Sequence, residues 1–267
     1  SPQPAALAEP GDRDQLCRAG RGDARSRLCA ADVRRQWLAG DRRDAPLDRG
    51  DCRGDHSALQ RADARKGKTM KFVLASQSAS RRAMLDAAGV PHAAVAAQVD
   101  EASAKESLIA GGISPRDLAD ALAELKALKV SGLVPAALVL GGDSLVALGD
   151  GSLLDKPESR EQAADHLRRM SGRTHDIYSA AVIAEGGRAV WRHVDRARLH
   201  VRPLSETFIA EYLDIEWPAI AGCVGCFRIE GPGVQLFNRT EGSQFTILGM
   251  PLLPILDYLR IRGILTS

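Results

Sequence analysis

The chain has 267 residues, of which 45% are hydrophobic but only 4% aromatic, with a formal net charge of +2. That length holds one large domain or two smaller ones around a core of mostly Ala, Leu, Val and Ile, and the small charge argues against a dedicated nucleic-acid binder, which concentrates a basic surplus. No apolar run approaches the roughly 18 residues of a membrane span, and no signal-peptide pattern opens the chain, so the protein reads as cytoplasmic.

Composition changes at Met70. Residues 1–69 hold 13 Arg against 2 Lys and 10 Asp against 1 Glu, and they lack Ile, Phe, Tyr and Met. So little branched and aromatic surface does not offset ordering entropy, and the segment is expected to be disordered. Asp interrupts the Arg nearly everywhere, as in "GDRRDAPLDRGDCRGD", so the local field cancels rather than forming a nucleic-acid arm. The Arg, Ala, Gly and Asp excess is what GC-rich DNA gives when read upstream of a gene, and "RKGKTMKF" fits a purine-rich run before a start codon. Met70 is therefore expected to be the natural first residue, with 1–69 a non-native upstream extension and 70–267 the functional domain.

Beyond Met70, Lys71 to Ala75 reads as a strand and Ala79 to Ala88 as a helix ended by Gly89 and Pro91. His92 to Val99 reads as a second extended segment. Ser114-Pro115-Arg116-Asp117 caps a long helix running to about Val130. Ala136 to Leu140 is a short buried strand leading into "GGDSLVAL", and Ser159 with Gln162 forms a capping box for a helix through Met170. Thr174 to Arg202 reads as two strands joined at Gly186-Gly187. A helix from Leu204 to Leu213 clusters Phe208, Ile209, Tyr212 and Leu213. Strands near 226–230 and 234–239 precede a closing helix from Pro251 to Arg262. Alternating strands and helices with one long hairpin predict a mixed α/β fold.

Four places carry chemistry. In "FVLASQSASRRAML" a buried strand is followed by Ser76, Ser78, Ser80, Arg81 and Arg82 at the start of a helix. The unpaired amides and positive dipole end of a helix, joined by hydroxyls and guanidinium groups, make an anion receptor suited to polyphosphate. A plain Ser-capped helix with two solvated arginines is the alternative. No GxxxxGK[ST] loop occurs, which excludes a P-loop nucleotidase. "LVLGGDSLVAL" delivers Asp143 and Ser144 near the carboxyl end of an apolar strand, where open α/β sheets place reactive groups, although Asp143 would also serve as a turn acid. In "LLDKPESREQAADHL", Lys156 precedes a helix entrance, where its charge opposes the dipole unless an anion lies between them. Asp100 and Glu101 pair two carboxylates, suited to a divalent cation or to plain solvation.

The five cysteines stand at 17, 29, 52, 223 and 226, and only Cys223 and Cys226 have ligand or redox spacing. Without a second CxxC or a His nearby in sequence, two small buried thiols are expected rather than zinc. Nothing cationic adjoins them in sequence, which disfavours a redox protein.

The segments "LASQSASRRAMLDAAGV", "DE", "LAELKA", "GGDS", "LDKPES", "MSGRTH" and "EGSQFTILGMPL" resemble, in order and spacing, the Maf family of nucleoside triphosphate pyrophosphatases, once described as septum-formation inhibitors. The resemblance covers Lys71 to Gly263. It implies an α/β fold related to inosine triphosphatases, with a curved mixed sheet and two lobes around a nucleotide cleft, in proteins that often dimerise. It also implies hydrolysis between the α and β phosphates, giving a monophosphate and pyrophosphate with Mg²⁺ or Mn²⁺. Matched by position, Ser76, Ser78 and Arg81 fall on the family's phosphate-binding corner, Glu101 on its conserved acid, and Lys126 and Lys156 on its two lysines. Asp143 falls on the catalytic proton acceptor, and Glu101 with Asp143 becomes the expected metal pair. Ser80 stands where the subfamily hydrolysing dTTP and UTP usually has Arg, Ser144 where it has Thr, and Glu230 where it has Gln. Glu230, in "GCFRIEGPGVQLF", is closer to the subfamily that hydrolyses 7-methylguanosine triphosphate, which tends to carry Trp and Gln at the other two positions. The competing readings are a dTTP/UTP enzyme of the same family and a non-catalytic nucleotide-binding regulator of cell division.

Overall fold

A computed structural model describes residues 71–267. The expected disordered, non-native segment 1–69 lies outside them.

Strand β1 (Lys71–Ala75) runs into helix α1 (Ala79–Ala87), and strand β2 (Ala93–Ala94) is followed by helices α2 (Glu101–Ala110) and α3 (Pro115–Leu133). Strands β3 (Ala137–Leu148) and β4 (Leu153–Leu154) lead to helix α4 (Arg160–Met170) and the hairpin β5 (Thr174–Glu185) and β6 (Arg188–Val201). Helix α5 (Glu206–Glu216), strand β7 (Phe237–Glu241), and helices α6 (Gln244–Ile247) and α7 (Leu252–Ile261) complete the described chain. The strands form one sheet in the order β2-β1-β3-β5-β6-β7, with β4 added to β3. Neighbours β1 and β2, and β1 and β3, are parallel, whereas β3, β5, β6 and β7 pair antiparallel. The expected mixed α/β architecture is the one observed.

Local chemistry accounts for the elements that sequence reading placed well. Ser78, Ser114 and Ser159 each cap the helix expected to follow them. Ser159 Oγ accepts from Gln162 N at 3.2 Å, while Gln162 Oε1 turns back to accept from Glu158 N at 2.6 Å, one residue earlier than a capping box would have it. Three expectations fail and one helix is unexpected. The strand expected to end at Leu140 before two glycines runs on as β3 to Leu148, so Asp143 and Ser144 lie within it and not at its carboxyl end, because β5 pairs with it along its whole later length. The extended segment His92 to Val99 pairs only through Ala93 and Ala94. Helix α2 went unread because none of its residues is buried, so it shows no apolar stripe. The strand expected at 226–230 is absent, since Gly225 at φ 84° and Cys226 at φ 58° turn the backbone left-handed, and 232–236 forms a 3₁₀ turn before β7 begins at Phe237.

Alternation along β3 sends its two faces into different cores. Leu138 and Leu140 pack with Met84 and Leu85 of α1 and Ile255 and Leu259 of α7. Val146 and Leu148, on the same face, pack with Leu167 of α4 and Tyr212 and Leu213 of α5. Gly142 and Ser144 separate these two clusters on that face. The opposite face carries α3, whose Leu118, Leu122 and Ala123 cover Leu145 while Val130 covers Val139. Among the described residues no helix is long and apolar enough to cross a membrane.

Helix α3 approaches β3 closely because Gly141 has no side chain. A Cβ there would lie 2.2 Å from the Ala123 carbonyl oxygen and 2.6 Å from Ala127 N, both backbone atoms. Gly141→Ala should therefore cost about 3 kcal/mol or more, the upper range for overpacking a core, because helix and strand must separate. Urea denaturation checks this. An unchanged midpoint would mean that the approach is not tight in solution.

Candidate active site

Strand β3 pairs with β1 as far as Gly141, opposite Ala75, and with β4 only from Val146, opposite Leu154. Between these points residues 142–145 have no strand on that edge. The gap opens beside the β1–α1 corner, and side chains from both faces of the sheet reach it.

Ser78 caps α1, its Oγ accepting from Arg81 N at 3.4 Å, and Ser76 Oγ accepts from Ser78 N at 3.1 Å. Ser80 Oγ is 3.0 Å from Ser78 Oγ. Arg81 turns inward and is only 8% exposed. Its Nε donates to the Gly249 carbonyl at 2.8 Å, its Nη2 to Ser144 Oγ at 2.9 Å and its Nη1 to Ser76 Oγ at 3.4 Å. Every one of these acceptors is neutral. Burial pulls the guanidinium below its usual pKa, and the nearby charges of Asp143 and Glu101 oppose that pull. A buried cation wired to neutral oxygens keeps its charge available for an anion.

The second group lies on the α3 face. Asp143, one residue before Ser144, is 7% exposed, and Lys126 of α3 is equally buried. Lys126 Nζ donates to Asp143 Oδ1 at 2.7 Å and lies 2.8 Å from Glu101 Oε2 at the start of α2. The close contact at Gly141 is what lets α3 lower Lys126 onto Asp143. Two carboxylates converging on one cation fit the hard oxygen ligands of Mg²⁺ or Mn²⁺.

Lys156 and Glu230 join neither group by direct contact. Both are exposed, Lys156 just beyond β4 and Glu230 on the loop before β7. They flank Cys223, whose thiol burial pushes up, with Glu230 adding to the shift and Arg228 and Lys156 opposing it. Arg228 makes a two-pronged pair with the buried Glu216 at 2.8 and 2.9 Å, which anchors the Glu230 loop to α5. Cys226 is fully buried, as expected of a small core thiol, and its Sγ lies 3.3 Å from His166 Nδ1. Among the described residues no group of three or more His, Cys, Asp or Glu could hold a metal ion.

Sequence reading missed the frame behind Arg81. Ser179 of β5, opposite Ser144 across the sheet, is fully buried, and its Oγ lies 3.0 Å from Ser144 Oγ and donates to the Thr246 carbonyl at 2.8 Å. Thr246 Oγ1 in turn donates to Asp195 Oδ2 of β6 at 2.7 Å. Ser144 Oγ donates to the Gly249 carbonyl at 3.0 Å. Gly249 sits at φ 103°, and a Cβ there would meet Ser144 Oγ at 3.2 Å. The segment "EGSQFTILGMPL" thus supplies backbone carbonyls that hold Ser144, Ser179 and Arg81 in place. Only pairing across β3 and β5 reveals Ser179, so no local pattern marks it.

Residues 71–261 match the family model described as Maf-like protein. The nucleoside triphosphate pyrophosphatase of Sphingopyxis alaskensis is 53% identical over 195 residues, covering 73% of this chain and 98% of that protein. That of Hyphomonas neptunium is 49% identical over 199 residues, covering 74% and 100%, and nucleoside triphosphate pyrophosphatase 1 of Jannaschia sp. is 48% identical over 193 residues, covering 72% and 97%.

Removing the Ser179 hydroxyl would leave the Thr246 carbonyl with one donor, Gly249 N at 3.1 Å, in place of two. Ser179→Ala should lower stability by about 0.5–1.5 kcal/mol, the net worth of one hydrogen bond, read as a fall in the urea midpoint. Retention of full stability would show that water replaces the hydroxyl.

Proposed function

The chain belongs to the Maf-like family, and from that premise we propose that it hydrolyses nucleoside triphosphates between the α and β phosphates, releasing a nucleoside monophosphate and pyrophosphate. It is a hydrolase acting on acid anhydrides. The observation that carries the reading is Arg81, a buried guanidinium held by three neutral acceptors a few residues from the Lys126–Asp143 pair. Such a charge calls for a polyanion, and the α1 terminus with Ser76 and Ser78 adds donors for its oxygens. Lys126 and Lys156 supply further positive charge along the triphosphate.

Hydrolysis needs a proton acceptor beside the attacking water. Asp143 engages its cation through Oδ1 alone, Lys126 in the free protein, which leaves Oδ2 to take the proton as the water oxygen bonds to the α phosphorus and the bridging oxygen departs with pyrophosphate. In the free protein Lys126 orients Asp143 through that bond. Glu101 and Asp143 would hold the divalent cation, whose charge would offset that building up on the phosphates. We assign the reaction to the cytoplasm, where nucleotide pools lie.

The substrate base is read from Glu230. An ionised carboxylate accepts hydrogen bonds but does not donate them, so it favours a base edge with paired N–H donors, as guanine has, over one presenting carbonyls. Ser80 and Ser144 are smaller than the residues at those positions in either subfamily and leave room for a modified base such as 7-methylguanine. Ser144 is also committed to Arg81 and Gly249, which limits its part in reading the base.

One assay tests both statements: a panel of canonical and methylated triphosphates with Mg²⁺ or Mn²⁺, with pyrophosphate and orthophosphate measured separately. Wild type should release pyrophosphate only, and orthophosphate as the first product would refute the reaction. Asp143→Asn should lose a factor on the order of 10² to 10⁴ in turnover while still binding nucleotide. Near-normal turnover would remove Asp143 as the proton acceptor. Guanine-type triphosphates should outrank dTTP and UTP, and Glu230→Gln should narrow or reverse that ranking by roughly 5- to 150-fold, the worth of one unpaired donor. The same ranking in both proteins would show that Glu230 does not read the base.

A further inference from the structure

We propose that Lys126 fills the cation position between Asp143 and Glu101 until nucleotide arrives, so that the divalent metal enters with the nucleotide and not before it. The inference rests on the metal-assisted hydrolysis proposed above and names how that site is loaded.

The geometry is that of one cation shared by two carboxylates. Lys126 Nζ lies 2.7 Å from Asp143 Oδ1 and 2.8 Å from Glu101 Oε2, and the two acids come from different elements, β3 and α2. A divalent ion bound by the same oxygens would stand at roughly 2.0–2.1 Å from them, in the space the ammonium occupies. Both cannot be there. Among the described residues no third His, Cys, Asp or Glu completes the pair as a metal site. Phosphate oxygens and water then supply the remaining ligands, the usual arrangement for Mg²⁺.

Charge balance gives the same order. Arg81 and Lys126 bring two positive charges to the site, and Asp143 and Glu101 bring two negative ones. A metal ion added alone would leave a partly buried site with an uncompensated double positive charge, whereas the triphosphate more than offsets the metal and its remaining negative charge faces Lys156 and the α1 terminus. The lysine is suited to the exchange. Its stem is buried but unbranched, its ammonium is a point charge with three donors, and its head can turn from carboxylate to phosphate without a rigid fork to realign. Glu101 has a side chain 51% exposed, so the incoming ion reaches this pair from solvent on that side.

Mn²⁺ binding to the full chain, followed by paramagnetic resonance of the free ion and by calorimetry, tests the proposal without turnover. Wild type should bind Mn²⁺ weakly when alone and about tenfold or more tightly once a non-hydrolysable α,β-methylene triphosphate is present. Lys126→Met should bind Mn²⁺ without nucleotide about tenfold or more tightly than wild type, the scale of one unit charge removed from a few ångströms away. Wild-type binding that is equally tight with and without the analogue would overturn the proposal even if the variant does not fold. So would a folded Lys126→Met that binds no more tightly than wild type. The product assay decides the reaction separately: pyrophosphate release with nucleotide-independent Mn²⁺ binding would sink this inference alone, while Mn²⁺ binding as described without pyrophosphate release would sink the reaction.

Discussion

Strand β3 exchanges one edge neighbour for another within its own length, and the site follows from that exchange. Its first half is bound to β1 and its end to β4, and the residues between them, 142–145, face an open edge. The strand does not fray there, because β5 holds its other edge without interruption from Val139 to Leu148. A rigid strand with one free edge exposes side chains of both faces to the same opening: Asp143 from the α3 side and Ser144 from the side of the two clusters. Two neighbouring residues of a strand point in opposite directions, so in a complete sheet they would never serve one ligand. Under the function proposed above, the gap would allow Lys126, which bonds to Asp143, and Arg81, which bonds to Ser144, to act on a single polyphosphate.

Each cation at this opening is restrained in a different way. Arg81 has a planar fork whose donors are taken by fixed oxygens of a backbone carbonyl and two hydroxyls, and it therefore holds one orientation. Its frame reaches across three strands through Ser179, Thr246 and Asp195 by contacts of 2.7 to 3.0 Å, in which the Ser144 and Ser179 oxygens lie side by side, each donating its one proton to a carbonyl, and Thr246 Oγ1 donates to Asp195. Lys126 is held by charge rather than by a lattice of neutral groups, and charge attracts without fixing direction. One residue presents a permanent receptor and the other a movable one. This division matches a reaction in which the phosphate end must be gripped throughout while the charge near the attacking water changes.

The parts legible in the sequence were those decided within a few residues. Ser114-Pro115 and Ser159 announce helix starts because a cap acts over one turn, and Gly186-Gly187 announces the hairpin because both adopt positive φ, at 56° and 77°. The strand-to-helix corner after Ala75 was legible for the same reason, since Ser78 caps α1 by accepting from Arg81 N within one turn. Helix α2 was not, because it buries nothing, so its local cap, Asp100 Oδ1 accepting from Ser103 N at 3.1 Å, precedes no apolar stripe. The 226–230 segment looked like a strand from its apolar Phe227 and Ile229. Tertiary packing overrode that propensity, with the Tyr212 hydroxyl donating to the Cys226 carbonyl at 3.0 Å and Phe227 set edge-on to Phe237 at 4.8 Å. Lys126 and Asp143 were each visible as chemistry, but their bond depends on how closely α3 can lie on Gly141, a three-dimensional fact.

The same distinction separates the two halves of the site. The phosphate half depends on hydrogen bonds among Arg81, Ser144 and Gly249, residues distant in sequence that hold one another, so a change at any of them disturbs the others. The base-reading half hangs Glu230 on a loop that is tied down on either side of it: by the Arg228 pair with Glu216, and by Gly233, where a Cβ would come within 2.5 Å of the Arg228 carbonyl oxygen. Those ties fix the backbone and leave the Glu230 side chain exposed, with no structural duty of its own. A side chain without structural duty can be exchanged at little cost to stability. Under the function proposed above, the base preference would therefore be open to retuning at Glu230, whereas the grip on the phosphates would not be alterable without disturbing the sheet that carries it.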